Sequence, residues 1–157
     1  MADFKPQDFD IQKDYVSDPL IPNGWYKGSV TNVKLNVDKH NLAWEITLNG
    51  NEGMYFSDGK TPVDGAKLFF RNWLPTKPGD ENEMSPSGKQ TKRQSKINML
   101  SKFANKIGLV EELRNMESIA TTVQEKKFLG MEIVAKVVEN EYNGEISNQI
   151  DSLVRPN

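Results

Sequence analysis

Cysteine is absent from the chain, and histidine occurs once, as His40. Without cysteine there is no disulfide framework, no thiolate metal site and no thiol nucleophile. A lone histidine removes most zinc sites and histidine-based triads, which need several convergent ligands or a partnered base. No run of about 18 apolar residues occurs, so no membrane span is expected. The opening MADFKPQDFDIQKDY lacks the basic-then-apolar pattern of a secretory signal, and a cytoplasmic location is the expectation. Nucleotide-binding glycine loops, the HExxH zinc motif and calcium loops are missing as well. Carboxylates are plentiful, but no spacing singles out a two-metal nuclease site. The expectation is therefore a protein with no metal or cofactor and no enzymatic activity.

What is present fits one domain. The 157 residues lie inside the usual span of about 100–200 per domain. A chain of that size buries roughly two-thirds of its unfolded surface and needs no covalent staple.

Net charge is −2, which does not suggest a phosphate ligand, but the charges are unevenly spread. Residues 67–106 hold nine Lys or Arg against three acids, whereas the other 117 residues hold eleven against nineteen. Screening confines each charge to about 8–10 Å at ordinary salt, so the local surplus matters more than the total. The plainer reading is a solvated loop and helix face, and charge alone favours it.

Residues 1–22 carry five Asp, two Lys and the scattered aromatics Phe4, Phe9 and Tyr15 before Pro19 and Pro22. They form an acidic arm, to be laid over the domain by those rings, ahead of a domain at 23–157. A first strand spans Trp25–Val37. Its apolar face switches from Tyr26, Gly28 and Val30 to Val33, Leu35 and Val37, which requires one extra residue near Thr31–Asn32. Leu42, Trp44, Ile46 and Leu48 alternate in a half-buried second strand that places Trp44 in the core. A third strand covers Lys67–Leu74. Residues 75–94 are rich in Pro, Gly and charge with almost nothing apolar, which predicts a long flexible loop.

Ile97, Leu100, Ala104 and Ile107 then recur at helical spacing, with Ser95 as the expected cap and Gly108 at the C-terminal stop. Residues 114–128 show no clear pattern. Strands at Glu132–Tyr142 and Ile146–Val154 flank Asn143-Gly144, a two-residue hairpin signal. The fold class is therefore mainly β. Five strands, with one helix between the third and fourth, follow the plan of the Greek-key oligonucleotide/oligosaccharide-binding (OB) barrel. A plain α+β sheet is the structural alternative.

The third strand carries the most chemical information. If Leu68, Phe70 and Leu74 face inward, the outward face is Lys67, Phe69, Arg71 and Trp73. Single-stranded nucleic acid suits that alternation, since bases stack on rings while cations follow phosphates. The same rings would also serve to pack under the arm or the long loop. Trp25 and Tyr142 are further stacking candidates, and Tyr55 and Phe56 would clamp a base or plug the barrel. Lys89, Lys92 and Arg93, with Lys96, form a basic run positioned to swing across a bound strand. Asp80, Glu81 and Glu83 would compete for those cations when the site is empty. His40 is expected in an exposed turn with no role.

Several segments together resemble a family of small bacteriophage and phage-like proteins related to single-stranded-DNA-binding proteins. They are Pro22-Asn23-Gly24-Trp25-Tyr26, the helix Ile97–Gly108, Gly130–Val138, Glu141-Tyr142-Asn143-Gly144 and Asn148-Gln149-Ile150. The resemblance covers about residues 20–156. It implies a barrel that binds single-stranded DNA with little sequence preference, in phage DNA replication or recombination, within an infected bacterial host. Phage replication or recombination proteins would be its partners, and a homodimer is compatible with the resemblance. The ending Ser152–Asn157 lacks the acidic tail of better-known relatives, so the resemblance does not extend to recruitment through such a tail. The competing expectation is a protein-interaction or virion-assembly module that uses the same barrel face.

Overall fold

The computed structural model describes residues 5–156. Its elements run β1 (Gly24–Asn36), β2 (Asn41–Leu48), β3 (Lys67–Trp73), α1 (Lys92–Ile107), α2 (Met116–Gln124), β4 (Glu132–Tyr142) and β5 (Glu145–Val154). The strands form one antiparallel sheet in the order β3-β2-β1-β4-β5. Among the described residues, no helix is long and apolar enough to cross a membrane.

β1 is the hinge of this sheet. Its first half pairs with β4 over Gly24–Ser29, and Gly28–Asn36 pair with β2. The register shifts between Val30 and Asn32, leaving Thr31 as the extra residue that the parity switch requires. Tyr26, Gly28 and Val30 are buried before it, and Val33 and Leu35 are half-buried after it, whereas Val37 lies beyond the strand and is exposed. A Cβ on Gly28 would sit 2.8 Å from the Thr47 carbonyl oxygen, so only glycine permits this close approach of β1 and β2.

The edges of the sheet do not join. β3 and β5 share no hydrogen-bonded ladder, so the closed barrel expected from the sequence is not formed. They nevertheless come within 8 Å between Cα atoms. In a flat sheet of five strands the outer two would lie about 19 Å apart, at roughly 4.8 Å per strand. The sheet is therefore strongly coiled. α1 touches both edges across the gap, and Lys106 Nζ donates to Ser152 Oγ on β5 at 2.6 Å.

Trp44 organises the concave side. It is fully buried, meets Phe103 and Phe128 edge-on at centroid distances of 5.9 and 4.9 Å, and donates from Nε1 to Asn72 Oδ1 at 2.7 Å. Phe70 stacks on Phe103 at 5.3 Å, which ties β3 to α1.

Two helices, not one, separate β3 and β4. α2 was hidden because two threonines and a glutamine dilute its nine residues, although the Asn115 side chain accepts from the Ser118 N–H as a proper N-cap. α1 also starts earlier than Ser95 suggests: Thr91 is its cap and accepts from the Gln94 N–H. Gly108 closes it in the left-handed conformation, as the spacing predicts.

The 75–94 connection is organised, contrary to its composition. Met84 and Thr91 form a bridge, Ser85 N–H donates to the Gln90 carbonyl at 2.8 Å, and Lys92 N–H donates to the Glu83 carbonyl at 2.7 Å. Asp80 is buried and ion-paired to Lys96. Polar contacts supply here the order that apolar burial does not.

The arm departs from expectation too. Phe9 and Tyr15 face solvent and cover nothing, while Phe4 lies outside the described residues. Attachment begins at Leu20 and Ile21, just inside the arm's expected range. Leu20 exchanges hydrogen bonds with Ser57, and the Asn148 amide brackets the Ile21 backbone at 2.8 and 2.9 Å.

Candidate nucleic-acid interface

Strand periodicity turns alternate β3 residues outward. Leu68 and Asn72 are buried, whereas Lys67, Phe69, Arg71 and Trp73 are exposed, with Phe69 at 67% and Trp73 at 52%. Asn72 takes the inward position between Phe70 and Leu74 because Trp44 needs its acceptor.

Register places neighbours beside each of these side chains. Arg71 lies opposite Ala43, which in turn lies opposite Lys34, so a single methyl separates two cations. Trp73 lies opposite Asn41, whose side chain accepts from Asn36 Nδ2 at 2.8 Å. The small Ala43 leaves a groove of about 640 Å³. Arg71, Trp73, Ala43, Asn36 and Asn41 line it from the sheet, Asp38, Lys39 and His40 from the β1–β2 turn, and Lys77 and Lys96 from the far side.

His40 is not the free turn residue expected. It is half-buried, its Nδ1 lies 2.9 Å from Thr76 Oγ1, and its carbonyl accepts from the Leu74 N–H at 2.8 Å. It fastens the turn to the chain leaving β3, and so fixes the mouth of the groove.

The groove's cations differ in availability. Lys96 is engaged by Asp80, and Lys67 lies 3.4 Å from Glu45. Among the described residues, Arg71, Lys39 and Lys77 make no ion pair. One acid, Asp38, shares the lining.

The expected basic run divides. Lys92 pairs with Glu83 at 2.7 Å, Arg93 is exposed on the first turn of α1, and Lys89 is exposed in the preceding turn. Lys96 stands one helical turn on from Lys92 and Arg93, which connects the run to the groove. Asp80 and Glu83 do compete for the run's cations, since they pair with Lys96 and Lys92. Glu81 instead accepts from the Gly79 N–H at 3.2 Å.

The hydrogen bond from Lys96 holds the Asp80 carboxyl below its ordinary value of 3.8, outweighing the opposite effect of burial. A lowered carboxyl pKa stabilises the folded state above the unfolded value, and that contribution is lost as pH falls through the folded value. Denaturation midpoints of the native chain and Asp80→Asn should therefore differ most at neutral pH and converge below about pH 3.8. A constant difference down to the lowest pH would show that this charge does not order the loop.

Two predicted site residues lie elsewhere. Trp25 faces outward opposite Lys136 on β4, about 35 Å along β1 from the row that carries Trp73. Tyr142 is exposed at the tip of the β4–β5 hairpin. Tyr55 is exposed, and Phe56 packs partly against the core. Lys34, Lys39 and Lys77 are the cations that sequence reasoning missed. The turn at Asp38–Asn41 was recognised, but only the β2–β3 register carries it to Trp73.

Among the described residues no group of acids and histidine could hold a metal ion. No family model and no curated protein matches the chain.

Proposed function

We propose that the protein binds single-stranded DNA with little sequence preference, along the outward face of β3 and into the groove beside Trp73. One observation carries this reading: base, ring, base and ring alternate on a single exposed strand face, beside a groove whose free charges are mostly positive. Rings accept any base by stacking, at about 1–3 kcal/mol each, and cations follow phosphates without reading sequence. The bulged β1 shared by two partners, the strand order and the proximity of β3 to β5 support an OB-type barrel closed by packing rather than by a ladder. With the resemblance in its opening and closing motifs, this supports a role in phage DNA replication or recombination.

Titration of the Trp25→Phe variant with an oligo-dT, followed by tryptophan fluorescence, tests the proposal. Trp44 is buried, so the response reports Trp73. Quenching at low salt that reverses at high salt is expected. A flat titration at low salt would overturn it. Arg71→Gln should lower the slope of log K against log salt by about 0.7, the contribution of one phosphate on a single strand. Lys67→Gln should change it less, because Glu45 already neutralises part of that charge.

A further inference from the structure

The arm and the back of the molecule each leave apolar surface without a partner. Phe9, Ile11, Tyr15 and Val16 are between 69% and 84% exposed. Four large apolar side chains facing water within eight residues require an explanation, since isolated exposed residues are ordinary and clusters are not. The segment is also preorganised. Asp10 Oδ1 accepts from the N–H groups of Gln12 and Lys13, and Asp14 N–H donates to the Asp10 carbonyl at 2.8 Å. This single turn holds Ile11, and Tyr15 follows directly after it. Residues 5–20 carry four aspartates, Asp8, Asp10, Asp14 and Asp18, against two lysines.

The complementary surface lies between α1 and the approach to α2 and reaches Leu74–Thr76, where the chain leaves β3. A cavity of about 300 Å³ there is lined mostly by apolar side chains, including Leu100, Ala104, Val110 and Ile119, with a few neutral polar groups and Arg114, which pairs with Glu111 at 3.2 Å. Arg93, exposed, extends the α1 stripe of Ile97, Leu100 and Ala104 by one turn. The whole of α1 holds five cations and no acidic residue.

We propose that the arm of one copy seats in the α1–α2 groove of a second copy. Phe9, Ile11 and Tyr15 pack on the apolar floor, and the aspartates face Arg93, which makes no ion pair among the described residues. A second copy is the occupant because residues 5–19 are all exposed in the single chain and so are not seated in its own groove. Among the described residues, hydrogen bonds of residues 8–14 run only among themselves, and attachment to the domain starts at Leu20. Reciprocal exchange of arms closes on itself as a two-fold dimer. None of Lys67, Phe69, Arg71 and Trp73 lines this cavity, so the exchange does not rest on what the β3 face binds.

Sedimentation velocity of the full chain across the micromolar range tests the exchange. The native chain should dimerise, and Ile11→Asp with Tyr15→Ser should be monomeric. Val110→Asp, which alters a half-exposed residue of the groove wall, should also be monomeric, with Arg114→Glu as a second groove variant should the first fold poorly. The decisive arm mixes the two monomeric variants. One retains a groove and the other an arm, so a mixed dimer with a single intact contact should form. A native chain that stays monomeric, or dimers unaffected by both kinds of variant, would overturn the proposal. A monomer whose arm resists proteolysis until Ile11 and Tyr15 are changed would put the arm on its own groove, and would equally overturn exchange.

Discussion

Changing Phe69 and Trp73 together to alanine is expected to remove nearly all affinity for single-stranded DNA while leaving the fold intact. Each ring, if a base stacks on it, contributes about 1–3 kcal/mol, or on the order of tenfold to a hundredfold in affinity. The two sit four residues apart on one strand face with Arg71 between them. Their losses should therefore be measured singly and together, since neighbours sharing one ligand rarely add. Both side chains project into solvent, so the denaturation midpoint should move little, within the range of about 0.5 kcal/mol typical of exposed positions. Binding by anisotropy of a labelled oligonucleotide, at two salt concentrations, separates the contributions. Loss of stacking lowers affinity equally at both, whereas loss of a cation acts mainly at low salt. A double variant that binds like the native chain would remove β3 from the interface.

The largest expected effect on stability is at Trp44. Replacement by alanine empties the space between Phe103 and Phe128, at a cost of about 3–5 kcal/mol. That is a large share of the roughly 5–15 kcal/mol available to a domain. Trp44→Phe is the more informative change. It keeps most of the apolar bulk but leaves the buried Asn72 without its donor, costing about 1–3 kcal/mol. Adding Asn72→Leu should then recover part of the loss, because removing both partners of a buried hydrogen bond is cheaper than removing one. Chemical denaturation followed by circular dichroism gives the comparison. If Trp44→Phe alone matched the pair, the hydrogen bond would not be what sets Asn72 at that position.

Local features of the fold were legible in the sequence because each has a local cause. Alternation in Leu42–Leu48 identified β2 and put Trp44 inside, since a strand has only two faces. The parity switch in β1 located the bulge to within a residue. Asn143 and Gly144, both with positive φ, form the hairpin turn that their side chains permit. On β3 the same alternation identified the four outward residues.

What stayed hidden depends on residues distant in the chain. Asn72 interrupts the apolar face of β3, and its reason is the indole of Trp44, 28 positions away. The 75–94 segment looked too polar to order, but Asp80 finds Lys96 only once α1 has formed beside it. Lys39 and Lys77 join Arg71 and Trp73 in one groove because the β2–β3 register and the His40–Thr76 contact bring two turns together.

The chain's periodicities and turns thus determined by themselves which strands exist and which face of each is apolar. They do so because such properties rest on neighbours within a few residues. Tertiary structure alone decided that the sheet coils without closing by hydrogen bonds, that α1 spans the gap while α2 packs on β1, and that Trp25 and Tyr142 lie apart from the β3 strip. Those outcomes depend on register, bulge and packing summed over five strands, and no short window of sequence contains them.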